Sequence, residues 1–326
     1  MATLLLGMPL TTQSVAQDSA RPEASPMERV PGLRRAADME AADSTTADRV
    51  IGGREADKDE WPFQVALLTT EWLDDSPESQ YDAQFCGGSL IAPQWVLTAA
   101  HCLHDGAAIA PESVTVLTGA TDLVEGKRIA VAEVIVHEGY DPFALDNDIG
   151  LLRLAEPADA PTIAMTSEDV ESGDAMVIGW GLTEDGIFPN ALMEAEIKLF
   201  PNAACNTGIK QIYARDIGLI LRDYVWRMRY SEASIEDAVT QLSATMGDPL
   251  TGNMLCAGEA DGARDACNGD SGGPLFTMVD GKPVQVGIVS WGEGPLDAGA
   301  ACGHANAYGV YTRLSVYDDW IASKMN

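Results

Sequence analysis

The sequence predicts an all-β domain that contains one helical insertion and ends in a helix. Short apolar runs separated by Gly, Pro and Asp recur from Val50 onward, which is the pattern of many short strands. Residues 206–250 depart from this pattern because they are rich in alanine and straight-chain side chains, which favour helices. The 326 residues, 46% of them hydrophobic, are enough for one large domain or two small ones.

The strand prediction depends on five apolar runs. Alternation of apolar and polar side chains within 128–138 is typical of a half-buried strand, and the other runs fit half-buried or fully buried strands. Many short strands with frequent turn signals indicate a sandwich or a barrel. The runs are FQVALL at 63–68, SVTVLTG at 113–119, RIAVAEVIVHE at 128–138, AMVIGWG at 175–181 and PVQVGIVSWG at 283–292.

Two helices are predicted outside the strands. In the insertion, Ser234 and Asp237 resemble a capping box, and Gly247 and Pro249 end the helix. Apolar residues recur between these signals at helical spacing, at Ile235, Val239, Leu242 and Met246. A second helix is predicted at the C-terminus, where one face carries Leu314, Tyr317, Ile321 and Met325.

The N-terminal 49 residues differ in composition from the rest. The apolar run at 4–10 and the small residues at 14–16 predict a secretory signal peptide over 1–16, although the usual basic first segment is missing and a disordered tail is the alternative. Residues 17–49 contain almost no aromatic or β-branched side chains, which predicts an unpacked propeptide or activation segment.

Net charge and cysteine content exclude several function classes. The formal charge of -30 disfavours nucleic acid and anionic membranes as partners, and no run reaches the 18 apolar residues of a spanning helix. The six cysteines form no C-x-x-C pair, which disfavours zinc or iron–sulfur sites, and we expect no metal and no cofactor. Their even number in an exported chain predicts three disulfides among 15 possible pairings.

One loop contains a candidate nucleophile, Ser271 in ACNGDSGGPL at 266–275. A serine hydroxyl becomes reactive only when a base takes its proton and a third group orients that base. His101, in VLTAAHCLH, and Asp148, in DNDIGLLRL, are the candidates for those two roles. Taken singly, each residue could equally be a turn serine, a core histidine or a strand-end aspartate.

The three motifs together resemble the chymotrypsin-like, or trypsin-type, serine proteases. LTAAHC, DNDIGLLRL and GDSGGPL occur in the order His, Asp, Ser, which distinguishes this family from the subtilisins and the α/β-hydrolases. The resemblance covers residues 50–326 apart from the insertion. It implies two six-stranded antiparallel β-barrels with the reactive residues in the cleft between them.

The same resemblance implies a role for each residue of the site. Ser271 is the nucleophile, His101 the general base and then acid, and Asp148 the carboxylate that orients His101. The backbone N–H groups of Gly269 and Ser271 form the oxyanion hole.

An activation junction is implied by ADRVIGGREA. Cleavage after Arg49 would free the amino group of Val50, which would pair with Asp270 and order the oxyanion hole and the pocket. The uncleaved chain is therefore expected to be a weakly active zymogen.

Substrate preference is implied by the residue six positions before the nucleophile. Asp265 would form the floor of a specificity pocket and bind a substrate arginine or lysine. Ser290, Trp291 and Gly292 would form one wall and a strand that pairs with substrate, and Gly309 would keep the opposite wall open.

The cysteine pairing is also implied by the resemblance. It joins Cys86 to Cys102, Cys205 to Cys256 across the insertion, and Cys267 to Cys302 beside the pocket. This sparse set resembles that of bacterial members of the family.

The sequence therefore predicts a secreted, extracellular or periplasmic, trypsin-like endopeptidase that cleaves polypeptides after Arg or Lys. We expect a monomer that protein protease inhibitors can bind, with no nucleic acid or membrane partner. The acidic loop at 69–84 would favour basic residues after the scissile bond, and the insertion would alter access to the cleft. The alternatives are a catalytically silent binding protein, and an enzyme whose Asp265 the insertion masks.

Overall fold

Two closed six-stranded antiparallel β-barrels form the body of the computed structural model, which describes residues 25–41, 52–298 and 302–326. This confirms the predicted fold. The predicted signal peptide at 1–16 and the junction at Arg49 and Val50 lie outside the described residues.

The first barrel is built from the N-terminal strands. Its strands pair in the order β2-β3-β4-β7-β6-β5, and β5 pairs back with β2 to close the ring. Large apolar side chains such as Phe85, Leu97 and Leu151 fill its interior and are fully buried. In chain order the first strands of the fold are β1 (Arg54–Glu55), β2 (Gln64–Thr69), β3 (Gln84–Ala92), β4 (Trp95–Thr98), β5 (Val114–Thr118), β6 (Lys127–Val136) and β7 (Gly150–Leu154).

The second barrel closes in the order β9-β10-β11-β14-β13-β12, because β9 pairs with both β10 and β12. Two short strands extend this sheet: β1 pairs with β10, and β8 pairs in parallel with β13. The remaining strands are β8 (Ala164–Met165), β9 (Gly173–Gly179), β10 (Met193–Phe200), β11 (Met254–Gly258), β12 (Pro274–Val279), β13 (Lys282–Trp291) and β14 (Gly309–Arg313).

Helices lie on the outside of the barrels. They are α1 (Pro26–Ala41), α2 (Ser79–Ala83), α3 (Asn202–Met228), α4 (Glu232–Ser243) and α5 (Asp318–Lys324). The predicted C-terminal helix is present as α5 but is shorter than the predicted apolar face: Ile321 lies within it, whereas Leu314 and Tyr317 precede it, and all three are buried in the core. In the described part of the chain, no helix has the length and apolar character needed to cross a bilayer.

The insertion consists of α3 and α4, which pack against each other. Helix α4 begins earlier than the sequence suggests, because Ser231 and not Ser234 is its N-cap: the Ser231 hydroxyl accepts a hydrogen bond from the Ser234 N–H at 3.2 Å. A buried Ile235 is its main apolar contact. A disulfide between Cys205 and Cys256 fixes the start of α3 to β11.

Helix α1 corrects the expectation that residues 17–49 are unpacked. Residues 26–41 form a helix whose Val30 and Arg34 are fully buried against β3 and the first barrel. Pro31 lies inside this helix and has no N–H to donate to the Met27 carbonyl. The Thr69 hydroxyl of β2 donates to that carbonyl at 3.5 Å instead.

Candidate active site

His101 and Asp148 form a direct pair. His101 lies in a 3-10 turn, Ala100–Leu103, after β4, and Asp148 lies just before β7, which pairs with β4. The ring atom His101 Nδ1 lies 2.7 Å from the carboxylate atom Asp148 Oδ2. The backbone N–H of His101 donates to Asp148 Oδ1 at 2.8 Å. Both carboxylate oxygens therefore hold His101, which leaves its Nε2 directed away from Asp148.

The second barrel holds Asp148 in place. Its side chain is fully buried, and the Ser290 hydroxyl donates to its Oδ2. The Thr312 hydroxyl donates to the Asp148 carbonyl at 2.6 Å. An ionised buried carboxylate requires such donors, because burial without them is costly. The sequence does not reveal these donors: Ser290 was expected in the pocket wall, and Thr312 was not singled out.

Ser271 is fixed by bonds to both barrels. Its carbonyl accepts from the Gly87 N–H of β3 at 2.7 Å, while the following Gly272 N–H donates to the Val289 carbonyl of β13 at 2.8 Å. Gly272 has a φ of +81°, and a Cβ atom there would lie 2.1 Å from the Thr98 Oγ1. Only glycine fits this turn without strain.

Ser271 and His101 line one cleft of about 820 Å³. Within the described residues no hydrogen bond joins the Ser271 hydroxyl to His101. Hydrogen bonds between reacting side chains are commonly long without substrate and shorten when substrate binds, so the arrangement remains compatible with proton transfer.

Two backbone N–H groups at the Ser271 turn have no acceptor among the described residues. The N–H groups of Gly269 and Ser271 donate to no atom of the described residues, while the intervening Asp270 N–H donates to the Cys267 carbonyl at 3.0 Å. Gly269 has a φ of +103°, which places its peptide group in a conformation that other residues rarely adopt. The two free donors could stabilise an anionic oxygen next to Ser271.

Asp265 lies in the same cleft and is nearly buried, with 6% of its surface exposed. Burial raises its pKa to about 7, although the N–H groups of Ala266 and Gly303 partly offset that effect. A Cβ atom at Gly309 would lie 2.9 Å from the Asp265 Oδ1, so glycine keeps the carboxylate open to the cleft. A substrate cation that reached this carboxylate would give it a charge-assisted hydrogen bond in place of the hydrogen bonds to water that burial removes.

The other predicted pocket residues line the cleft as well. Ser290, Trp291 and Gly292 border it together with Asp265 and Gly309, although the Ser290 hydroxyl turns toward Asp148. His104 borders the same cleft and packs edge-on against Tyr140.

Comparison with known proteins assigns this chain to a family. The family model described as Trypsin matches residues 50–219 and 223–321. The chain belongs to the trypsin family of serine endopeptidases. This confirms the resemblance stated on the three motifs, and membership implies that its substrates are polypeptides.

Two mouse relatives are similar to this trypsin-family chain. Transmembrane protease serine 11C of Mus musculus is 33% identical over 286 residues, which cover 85% of this chain and 53% of that protein. Tryptase of Mus musculus is 33% identical over 287 residues, which cover 85% of this chain and 88% of that protein. The chain therefore spans about half the length of the first relative and most of the second.

Three disulfides brace the trypsin-family domain. They join Cys86 to Cys102, Cys205 to Cys256 and Cys267 to Cys302, which are the pairings implied by the resemblance. Among the described residues, the one group with metal-ligand spacing is Cys86, His101 and Cys102. Its two sulfur atoms are bonded to each other, so they offer no thiolate to a metal.

Helix α3 of the trypsin-family chain contacts the loop that continues from the pocket wall. The Tyr213 hydroxyl donates to Glu293, the residue after Gly292, at 2.8 Å, and Arg215 pairs with Asp297. No residue of α3 or α4 is among those that line the cleft in the described structure. The insertion therefore braces the wall from outside, and the expectation that it alters access stays a prediction.

Asp270, like Asp148 and Asp265, is a buried carboxylate of the trypsin-family chain. Its Oδ1 accepts from the Gly181 N–H at 2.7 Å and its Oδ2 from the Cys267 N–H at 2.9 Å. A Cβ atom at Gly181 would lie 2.4 Å from the carboxylate, so glycine makes room for it. Burial nevertheless raises the pKa of Asp270 to about 6 because these two neutral donors only partly replace water.

The pKa of Asp270 gives a testable pH dependence in the uncleaved chain. The unfolded value is 3.8 and the folded value about 6, so the folded state binds this proton more tightly. The stabilisation of the folded state by protonated Asp270 is complete below about pH 4 and is lost as the pH rises through about 6. We expect the difference in unfolding free energy between wild type and Asp270→Asn to fall by about 2 to 3 kcal/mol from pH 4 to pH 7.

Denaturant unfolding of both proteins at several pH values measures this difference. An unchanged difference from pH 4 to pH 7 would contradict the raised pKa. The chain cleaved after Arg49 is the control, because a new amino group paired with Asp270 would favour the ionised carboxylate and reduce the fall.

Proposed function

We propose that this chain is a secreted trypsin-like endopeptidase, made as a zymogen, that hydrolyses peptide bonds after Arg or Lys through an acyl-enzyme. The observation that carries the proposal is a buried carboxylate, Asp265, open to the cleft beside Gly309 and in the same cleft as Ser271 and His101. A charged pocket next to a serine–histidine–aspartate set predicts both the reaction and the residue before the cleaved bond.

In the proposed first step, the Ser271 Oγ attacks the substrate carbonyl carbon while His101 Nε2 takes the hydroxyl proton. The new C–O bond forms as the carbonyl oxygen becomes negative. The N–H groups of Gly269 and Ser271, which donate to no atom of the described residues, support their role as donors to that oxygen. His101 then gives its proton to the leaving nitrogen as the C–N bond breaks.

In the second step, water replaces the departed amine. His101 takes a proton from the water as its oxygen attacks the ester carbonyl, and then returns a proton to the Ser271 Oγ as the ester bond breaks. Asp148 holds the proton on His101 Nδ1 throughout, which keeps Nε2 free to act. The 2.7 Å approach of His101 Nδ1 to Asp148 supports this assignment.

Zymogen activation is proposed at Arg49. The described chain resumes at Gly52, whose N–H donates to Glu184 at 2.7 Å and whose carbonyl accepts from Arg264, the residue before Asp265. Val50 is only two residues from Gly52, a span of at most about 7 Å. Among the described residues, the buried Asp270 carboxylate accepts hydrogen bonds only from the neutral N–H groups of Gly181 and Cys267, which supports its pairing with a new amino group.

Localisation outside the cytoplasm is part of the proposal. Three disulfides favour an oxidising compartment, either extracellular or periplasmic. The signal peptide at 1–16, a monomeric state and binding of protein inhibitors stay predictions, as does the resemblance to bacterial members.

The experiment replaces residues 45–49 with the recognition site of a specific protease, so that Val50 becomes the new N-terminus. The cleaved protein is treated with a fluorophosphonate, which reacts with activated serines, and is then assayed on a peptide library. We expect the label on Ser271 by mass spectrometry, and cleavage after Arg and Lys. The uncleaved protein, and an Arg49→Gln chain, serve as controls with weak labelling.

Two results would overturn parts of the proposal. A cleaved protein that neither takes the label nor hydrolyses any peptide would be a silent binding protein on a protease fold. Labelling of Ser271 with equal cleavage after Arg and after Phe would keep the reaction and reject the pocket assignment.

A further inference from the structure

Helix α1 lies at the edge of the cleft that contains the proposed active site. Ser25, Pro26 and Arg29 line this cleft together with His101 and Ser271. The helix contacts β3 and the turn that carries His101. A segment in this place occupies space that a bound polypeptide would need.

Arg34 is the most deeply inserted side chain of α1. It is fully buried, and its guanidinium donates to the Tyr81 carbonyl and to the Gln84 Oε1. Its Cζ lies 4.4 Å from the centre of the Tyr81 ring and 4.7 Å from that of Phe188. Burial lowers the pKa of Arg34 to about 10, so it stays charged at neutral pH and depends on these contacts.

The pocket around Arg34 is built by the protease body. Gln84 is fully buried, and its Nε2 donates to the carbonyls of Gly269 at 2.9 Å and Cys86 at 3.2 Å. This fixes the amide with its oxygen facing Arg34. The Tyr81 hydroxyl lies 2.9 Å from the Asp38 Oδ1 of α1 and 3.1 Å from the Phe188 carbonyl, and the Arg34 guanidinium lies over the rings of both Tyr81 and Phe188.

The pocket is adjacent to the proposed oxyanion hole. Gln84 contacts Gly269 directly, and the Phe188 ring lies 3.3 Å from the position of a Cβ at Gly269. Asp265, by contrast, lies beside Gly309 of β14, on the wall of the second barrel. When the substrate Arg or Lys side chain binds at Asp265, the substrate residues after the scissile bond extend from Ser271 toward β3. Helix α1 packs against β3.

We propose that α1 is an internal inhibitor that covers the side of the cleft where substrate residues after the scissile bond bind, with Arg34 as its anchor. This rests on the proposed function. Arg34 holds the helix beside the cleft, and Ser25, Pro26 and Arg29 border the cleft itself. Removal of α1, and not only cleavage after Arg49, is then required for full activity on polypeptides.

Cleavage alone leaves α1 without a covalent tether. Residues 1–49 contain no cysteine, and all six cysteines pair with one another between Cys86 and Cys302. After cleavage, α1 stays bound only through its own contacts. Inhibition must therefore weaken on dilution, because a released segment rebinds in proportion to its concentration.

The test compares three full-length chains: wild type, Arg34→Ala and Arg35→Ala. Arg35 is the matched control, because it carries the same charge on the neighbouring position but is exposed and packs over Trp72 at 4.2 Å. Each chain carries the specific protease site at 45–49 and is cleaved there. A Ser271→Ala version of each provides a binding measurement that does not depend on activity.

The first readout is retention of the N-terminal fragment on gel filtration in the Ser271→Ala background. We expect wild type and Arg35→Ala to retain the fragment at micromolar concentration and Arg34→Ala to release it, since loss of a buried charged anchor weakens binding by about 30-fold or more. Equal retention by all three chains, or release by all three, would overturn the role of Arg34.

The second readout is hydrolysis of a small arginyl amide and of a peptide extended four residues beyond its arginine. The ratio of extended-peptide to amide hydrolysis should be at least about 10-fold higher for Arg34→Ala than for the other two chains, and should rise on dilution for wild type. An identical ratio in all three chains at every dilution would overturn the inference. If no chain hydrolyses the amide, the proposed function fails, and fragment retention still decides whether Arg34 anchors α1.

Discussion

Asp148→Asn is expected to lower kcat by about 10⁴-fold, the size of effect that replacing the aspartate of a Ser-His-Asp triad by asparagine has in this family. In the structure, His101 Nδ1 faces the Asp148 Oδ2 at 2.7 Å, so a carboxylate there keeps a proton on Nδ1. An amide nitrogen in that place donates a hydrogen instead and favours the proton on Nε2. His101 then has no free nitrogen to take the proton of Ser271.

The measurement is kcat on an arginyl amide for the chain cleaved after Arg49, with the thermal midpoint as a check on folding. Asp141→Asn is the matched control, because Asp141 is an exposed aspartate seven residues earlier. Among the described residues, its carboxylate accepts only the N–H groups of Phe143 and Ala144 in its own loop. A folded Asp148→Asn chain within about 10-fold of the control would reject the orienting role of Asp148.

Asp265→Ser is expected to reduce kcat/KM for arginyl substrates by about 30-fold to several thousand-fold. Loss of one partner of a buried charge pair costs about 2 to 5 kcal/mol, and each 1.4 kcal/mol is a factor of ten. Cleavage after uncharged residues should fall much less. Asp261→Ser is the matched control, since Asp261 lies in the same loop but is exposed. Equal losses for arginyl and uncharged substrates would place Asp265 outside substrate recognition.

The raised pKa of Asp265 adds a pH signature to this prediction. The carboxylate ionises as the pH rises through about 7, and only the ionised form attracts a substrate cation. The ratio of kcat/KM for an arginyl peptide to that for its citrulline counterpart should therefore rise with pH, reach half of its full value near pH 7 and level off about one pH unit higher. Because both substrates share the same catalytic groups, titration of those groups cancels in the ratio. A flat ratio in wild type would contradict the assignment.

Much of the barrel fold and of the site follows from local sequence. The strands of both barrels are short apolar runs, and Ser271, His101 and Asp148 lie in motifs that occur in one order. Gly272 could be expected beside Ser271 because a sharp turn needs glycine there. These features depend on residues close in sequence, which is why the pattern is visible without a structure.

Helix α1 was not predictable in the same way. Its buried face is centred on a charged residue, Arg34, and on few apolar side chains, so no apolar stripe marks it, and Pro31 interrupts the helical pattern. The partners that stabilise Arg34 are Tyr81, Gln84 and Phe188, which lie 47 to 154 positions further along the chain. Contacts at such separations leave no local signal.

The same reason applies to the donors that hold Asp148. Ser290 and Thr312 lie on strands of the second barrel, more than 140 positions further along the chain, so only the closed topology brings them to Asp148. The hydrogen bond from Tyr213 to Glu293 likewise depends on tertiary structure, because the disulfide between Cys205 and Cys256 fixes the position of the insertion.

Because these bonds join the two barrels, the geometry of the site depends on how the barrels pack against each other. His101 and Asp148 belong to the first barrel and Ser271 to the second, and the buried Ser89 hydroxyl of β3 donates to Gln285 of β13 at 2.7 Å. A slight slip between the barrels would separate the reacting groups while each barrel kept its own strands paired. Under the proposed mechanism, titration of Ser271 with a serine-directed label would therefore count the molecules in which the two barrels are correctly packed, and spectroscopic measures of strand content would not.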